Sequence, residues 1–94
     1  MKFERRNLSQ YDINSAWKKS GGLIFDSKPY GIAYCPKQWC KMTSAVMDAA
    51  SYGNHSDASW VVDHIVPLAQ GGANDYYNYQ AMHNYCNSCK GDAR

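Results

Sequence analysis

An acid and an imidazole stand side by side, as Asp63-His64, near the end of the most β-branched segment of this sequence. Successive side chains of an extended strand point to opposite faces, so the two groups are expected to do different work unless the backbone bends. Their chemistry favours Asp63 as a metal ligand and His64 as the group that handles a proton. Further residues with special geometry or oxygen donors follow at Pro67, Gly71-Gly72, Asn78 and Asn87.

These residues and their neighbours closely resemble the HNH endonuclease superfamily. The resemblance covers residues 60–94, extends loosely to Cys35 and Cys40, and leaves residues 1–34 outside. The family pattern is matched without a gap by Asp63-His64, Pro67, Gly71-Gly72, Asn78, Gln80, His83, Cys86, Asn87 and Lys90-Gly91. Because so many spaced positions agree, the signal is far more specific than the Asp-His pair alone.

The resemblance implies a ββα-metal fold, in which two strands, the loop between them and a helix surround one catalytic divalent cation. By correspondence with the family pattern, His64 is the general base that activates water. Asp63 and Asn87 ligate the catalytic cation, while Asn78 holds the loop and helps to orient His64. The asparagine at position 87 makes this the His-Asn-Asn variant of the motif.

General chemistry supports these roles. A neutral imidazole can accept a proton from water near pH 7. Attack on a phosphodiester builds negative charge on the non-bridging and leaving oxygens, and a divalent cation stabilises that charge. One carboxylate and one carboxamide leave coordination positions open for these oxygens. Such oxygen ligands favour Mg²⁺ or Mn²⁺ as the catalytic ion.

The cysteines indicate a second, structural metal site. Cys35 and Cys40 need a downstream pair of ligands, and two pairs are available. His83 with Cys86 fits the family register and is preferred, which leaves Cys89 as a free or packing thiol. Cys86 with Cys89 would instead give an all-thiolate set. Either set suits tetrahedral Zn²⁺; the remaining alternative is four buried thiols without metal.

A metal staple also fits the composition. Leu, Ile, Val and Phe number 13 of 94 residues, and the 45% apolar fraction depends largely on Ala, Tyr and Cys. A short chain with so few large aliphatic side chains usually needs a disulfide or a metal, and it is too short for a doubly wound enzyme, a barrel or a large sandwich. We expect one small zinc-stapled α+β domain over residues 1–94, with N-terminal helices. Residues 1–34 are expected to form a basic extension and residues 35–94 the zinc knuckle and ββα-metal core.

The local patterns place the predicted elements around these sites. Ser9 and Asp12 form a capping box, and Gly21-Gly22 ends the helix that it starts. Residues 23–35 are predicted as loop or short strand. Helical spacing of apolar residues predicts a helix from Cys40 to Tyr52. A strand is predicted over 60–66, a strand or a short turn of helix over 76–82, and a helix over 84–94.

Charge is unevenly distributed along the chain. Residues 1–41 carry eight Lys and Arg against three acidic residues, and residues 42–94 carry two against five. The basic half suggests a polyanion such as DNA as partner, with Lys90 and Arg94 placed to meet phosphate. No apolar run is long enough for a bilayer and the N-terminus lacks the apolar stretch of a signal peptide, so we expect no membrane association and a cytoplasmic location.

These observations predict a metal-dependent DNA endonuclease that hydrolyses phosphodiester bonds. A single site in a monomer or weak dimer is expected to nick one strand. The small size predicts low sequence preference, or a partner protein that supplies targeting. The alternative from another class is a non-catalytic zinc-knuckle module that binds nucleic acid, and a further alternative is a secreted toxin nuclease.

Overall fold

A capped helix, α1 (Gln10–Lys19), opens the part of the chain that the computed structural model describes, residues 8–93. The predicted capping box is present: Ser9 Oγ accepts from the backbone N–H of Asp12, and the Asp12 carboxylate accepts from the backbone N–H of Ser9, both at 3.1 Å. These bonds satisfy two donors that the first turn would otherwise leave without a partner. Helix α1 buries Ala16 and Trp17, so it is held by its packing as well as its cap.

Two short antiparallel pairs of strands follow the helix. Strands β1 (Leu23–Phe25) and β2 (Lys28–Tyr30) form a hairpin. Strand β3 (Ile32–Tyr34) pairs with β4 (Val46–Asp48), across a long connection that carries Cys35 and Cys40. The prediction of loop or short strand over residues 23–35 is therefore resolved as three strands of three residues each.

The helix predicted from Cys40 to Tyr52 is wrong. The structure has strand β4 there, followed by a single 3₁₀ turn over Ala49–Ser51. Within β4 only Met47 is buried while its neighbours are exposed, which is the alternation of a strand. Pairing with β3, together with the 2.8 Å hydrogen bond from the Cys35 N–H to the Ala45 carbonyl, outweighs the local helical spacing.

The C-terminal part of the described chain has a strand, loop, strand and helix in succession. Strand β5 (Trp60–His64) pairs antiparallel with β6 (Tyr79–His83), and helix α2 (Asn84–Lys90) follows directly. The predicted strand over 60–66 ends two residues early, since the Val66 N–H turns to the Asn78 side chain. The segment 76–82 contains both predicted forms, because a 3₁₀ turn over Tyr76–Asn78 leads into β6.

The core lies where α1 packs against β6 and β5. The rings of Trp17 and Trp60 are 4.7 Å apart between centroids, and Ser20 Oγ exchanges hydrogen bonds with the backbone of Ala81. The expected small α+β fold with a metal-binding staple is confirmed. In residues 8–34 the N-terminal part contributes one helix rather than several. The boundaries proposed for an extension at 1–34 and a core at 35–94 stay predictions.

Within residues 8–93, neither helix combines the length and the apolar character that crossing a bilayer requires.

Candidate active site and metal centre

Three donors surround the buried carboxylate of Asp63. Gln80 Nε2 on β6 donates to Oδ2 at 2.8 Å, and Asn87 Nδ2 on α2 donates to Oδ1 at 2.9 Å. The Lys90 ammonium lies 3.3 Å from Oδ2 and 3.4 Å from Oδ1. Asp63 itself is only 5% exposed. The structure thus brings together the two residues expected to hold the catalytic cation, Asp63 and Asn87.

The side chain of His64 is oriented by Asn74, which the sequence analysis did not identify. His64 Nε2 lies 2.9 Å from Asn74 Oδ1, and the same oxygen accepts from the Tyr79 hydroxyl at 3.1 Å. Since Oδ1 is an acceptor, Nε2 is the donor of this bond, and in the neutral ring the lone pair is then at Nδ1. The Tyr79 ring also meets the imidazole edge to face, with centroids 5.2 Å apart. Asn74 therefore favours the neutral tautomer that can accept a proton at Nδ1.

Asn78 ties together the two ends of the loop between β5 and β6. Its Oδ1 accepts from the Val66 N–H at 2.9 Å, and its Nδ2 donates to the carbonyls of Val66 and Ala73 at 2.8 Å. These bonds fix the chain that follows His64 and the chain that leads to Asn74. Asn78 thus has the geometry expected for holding the loop, whereas the direct contact with the imidazole comes from Asn74.

The same loop requires glycine at position 72. A Cβ at Gly72 would lie 1.8 Å from the Val66 carbonyl oxygen and 2.9 Å from Asn78 Nδ2. The first of these neighbours is backbone, which cannot give way without opening the loop. A Cβ at Gly71 would meet no atom within 4 Å, so this position favours glycine only because of its φ of +87°.

We expect Gly72→Ala to destabilise the protein by about 3 kcal/mol, because overpacking against backbone forces the loop to shift. Gly71→Ala is the matched control and should cost about 1–2 kcal/mol, the penalty of a left-handed conformation with a Cβ. Urea unfolding of the two variants measures the difference. Equal destabilisation would contradict the close packing of the loop.

An open cavity of about 340 Å³ lies over these residues. It is lined by Leu8, Val62, Asp63, His64, Pro67, Leu68, Ala69, Asn87, Ser88, Gly91 and Asp92. Although Asp63 and His64 are neighbours in a strand, both reach this one cavity. A substrate phosphate entering it would meet the imidazole and the Asp63–Asn87 pair together.

The two residues expected to contact nucleic acid have different outcomes. Lys90 is 4% exposed, and its ammonium is directed inward to Asp63, to the His64 carbonyl at 3.0 Å and to the face of Trp39. In this structure the ammonium therefore pairs with an internal carboxylate and is not exposed at the surface. Arg94 lies outside the described residues.

A second group of side chains converges between β3, β4 and the start of α2. The ligand atoms of Cys35, Cys40, His83 and Cys86 all lie within 4.8 Å of one another. His83 Nδ1 is 3.9 Å from both Cys40 Sγ and Cys86 Sγ. His83 Nε2 bonds the Val46 carbonyl at 3.1 Å, which leaves Nδ1 directed at the thiols. This Cys3His group is placed to bind a metal, and its donor set is that of structural zinc.

The geometry favours this set over the alternative in which Cys89 takes the place of His83. Cys89 is exposed and is not part of the group, whereas His83 is buried within it, with Nδ1 3.9 Å from two of the thiols. The Lys41 N–H donates to Cys86 Sγ at 3.2 Å, a bond that suits a metal-bound thiolate. All four cysteines are free thiols, so no disulfide competes for the ligands.

Burial makes the free thiol of Cys35 reluctant to ionise. Desolvation, reinforced by the neighbouring Cys86 and Cys40 and partly offset by a backbone hydrogen bond at His83, raises the pKa of Cys35 to about 12. Zinc must therefore displace this proton when it binds. Zinc affinity is expected to fall as the pH falls, because protons compete for the same sulfur.

The positioning residues missed from the sequence are Asn74 and Tyr79. Asn74 lies ten residues after His64 within a polar loop, and no spacing rule singles it out. Tyr79 gave only the signal of an aromatic residue in a predicted strand, directly opposite His64 in the observed register. Gln80 belonged to the quoted family pattern, and its role as a donor to Asp63 appears only when β5 and β6 are paired.

Comparison with known proteins agrees with this arrangement. Residues 51–93 match the family model described as HNH endonuclease. The match includes β5, the loop, β6 and α2, and so contains Asp63, His64, Asn78 and Asn87. No curated protein and no solved structure matches the chain. The resemblance to the HNH superfamily is confirmed for this segment, which indicates a nuclease or nucleic-acid-binding function.

Proposed function

From the match of residues 51–93 to the HNH endonuclease family model, we propose that the chain is a metal-dependent DNA endonuclease. It hydrolyses phosphodiester bonds, nicks one strand at a time and has low sequence preference. The observation that carries this proposal is the convergence of His64, Asp63 and Asn87 on a single open cavity. A binding module without catalysis would have no need for an imidazole held in a proton-accepting tautomer beside a paired carboxylate and carboxamide.

Each of these residues has a separate role in the proposed hydrolysis. His64 takes a proton from the attacking water at Nδ1, while Asn74 holds the ring through Nε2. Asn78 keeps the loop closed, so that the imidazole and the carboxylate remain at one edge of the cavity. The Asn87 carboxamide lies against Asp63 and orients it.

Asp63 and Asn87 are the residues that would hold the catalytic cation. Carboxylate and carboxamide oxygens are hard donors. A half-turn of the Asn87 carboxamide would direct its oxygen toward Asp63 in place of the nitrogen that donates there. The cation, Mg²⁺ or Mn²⁺, would supply positive charge to the phosphate oxygens as the P–O bond breaks. The Cys3His group would hold a separate structural zinc, which fixes the start of α2 and so the position of Asn87.

We also propose that the protein acts in the cytoplasm, on its own or as a weak dimer, with a partner protein for targeting if it has a preferred site. Free thiols at all four cysteines fit a reducing compartment, and zinc needs the three of the Cys3His group unoxidised.

Supercoiled plasmid with Mg²⁺ or Mn²⁺ tests the activity. We expect open-circle product to accumulate before linear product, because one site cuts one strand in each encounter. Asp63→Asn, which keeps the side-chain shape and removes the charge, should abolish the nicking. Linear product that precedes open circle would contradict the nickase, and plasmid bound without any cut would favour the non-catalytic zinc-knuckle module.

A further inference from the structure

The Lys90 side chain is unusual among the lysines of the described chain because it is buried. Its side-chain exposure is 0%, and its ammonium lies 3.3 Å from the carboxylate of Asp63. The same ammonium donates to the His64 carbonyl at 3.0 Å and lies 5.5 Å from the centroid of the Trp39 ring. A buried charge is costly without a partner, so such an arrangement persists only when both charges are compensated.

The direction of approach separates Lys90 from the cavity. Asp63, His64 and Asn87 line the cavity, whereas the ammonium reaches Asp63 from the interior. Asn87 and Lys90 are three residues apart on α2 and so share one helix face, from which both meet the same carboxylate. The cavity side of Asp63 is thereby left for another cation.

We propose that Lys90 is the internal counter-ion of Asp63. In the absence of the catalytic cation Lys90 neutralises and orients the carboxylate, and when the divalent cation binds, the two positive groups share it. This inference rests on the proposed metal site at Asp63. It makes Lys90 a positioning residue, since it touches Asp63 and the backbone of His64 and does not reach the cavity.

Through its contact with Trp39, Lys90 also links the proposed cation site at Asp63 to the Cys3His group. Trp39 lies in the segment between Cys35 and Cys40, so the ring over Lys90 belongs to the loop that the structural zinc would order. Loss of that loop would remove one wall of the Lys90 site. Zinc is therefore kept bound throughout the test below.

The test compares thermal unfolding of the zinc-loaded chain as native protein, Lys90→Met, Asp63→Asn and the double variant, each with and without Mn²⁺. Without Mn²⁺, Lys90→Met should lower the Tm by on the order of 15 °C, because it leaves a buried carboxylate without a counter-charge. The double variant should regain much of that loss, because both charges are gone.

Mn²⁺ should raise the Tm of Lys90→Met by more than that of the native protein, since the cation replaces the missing charge. Among the first-row divalent metals Mn²⁺ binds such sites most weakly, so it should not displace zinc from the Cys3His group.

A purely structural role for the lysine stem predicts a different pattern. In that case Lys90→Met and the double variant lose the same stability, and Mn²⁺ raises the Tm of native and variant protein by equal amounts; either result overturns the proposal. If Lys90→Met does not fold, recovery of folding in the double variant supports the proposal and failure of both overturns it. Lys28→Met, at an exposed position of β2, controls for the loss of one positive charge. No cleavage is measured, so a failure of the nuclease activity would be seen separately in the plasmid assay.

Discussion

Cys86→Ala is expected to abolish zinc binding and cooperative folding, whereas Cys89→Ala should retain both. Cys86 is fully buried in the Cys3His group, and Cys89 is exposed outside it. Structural zinc contributes roughly 10–16 kcal/mol of apparent binding free energy in small domains, and that energy is available only to the folded state. The largest fully buried apolar side chains of the described residues are two tryptophans and two methionines. So small a core cannot supply the stability that the zinc contributes.

Zinc stoichiometry and thermal unfolding of the two variants measure this difference. The native chain and Cys89→Ala should each bind one zinc at this group and unfold in a single transition. Addition of a strong chelator should convert both into the unfolded state that Cys86→Ala shows from the start. Loss of zinc in Cys89→Ala would instead support the all-thiolate set, in which Cys89 takes the place of His83.

His64→Asn should reduce the rate of plasmid nicking by about 10²–10⁴, the usual contribution of a general base. The substitution removes the Nδ1 lone pair while leaving a side chain of polar character at the cavity. Stability should change little, because His64 is half-buried and its side chain makes one hydrogen bond, to Asn74, worth about 1 kcal/mol.

His55→Asn is the matched control for this experiment. His55 is exposed, lies in the polar turn before β5 and has a φ of +64°, a conformation that asparagine tolerates well. Its nicking rate should equal that of the native chain under the same Mn²⁺ concentration. A rate for His64→Asn within a few-fold of the control would remove the imidazole from the mechanism.

Local patterns predicted those elements whose structure depends on their own residues. The capping box at Ser9 and Asp12 forms as expected, since its bonds span three residues. The strand from Trp60 and the helix from Asn84 also form, although each ends earlier than predicted. Their boundaries depend on contacts from elsewhere, such as the Asn78 side chain that draws Val66 away from the ladder.

Distant pairings decided the features that the sequence patterns did not predict. The segment 40–52 has helical spacing, yet β3 and the Cys3His group hold it as a strand and a 3₁₀ turn. Lys90 looked like a surface cation near the end of the chain, and only the packing of α2 against β5 reveals that it pairs with Asp63, 27 residues away. The family pattern named the site residues, but their partners Asn74 and Tyr79 emerge from the folded loop.

The most direct test of the account is an anomalous difference map from crystals of the zinc-loaded protein soaked in Mn²⁺. A manganese peak is expected on the cavity side of the Asp63 carboxylate, between it and the Asn87 carboxamide, with the His64 ring beside it. A zinc peak should stand separately among Cys35, Cys40, His83 and Cys86. Crystals that show the zinc peak but no density between Asp63 and Asn87 would contradict the central claim.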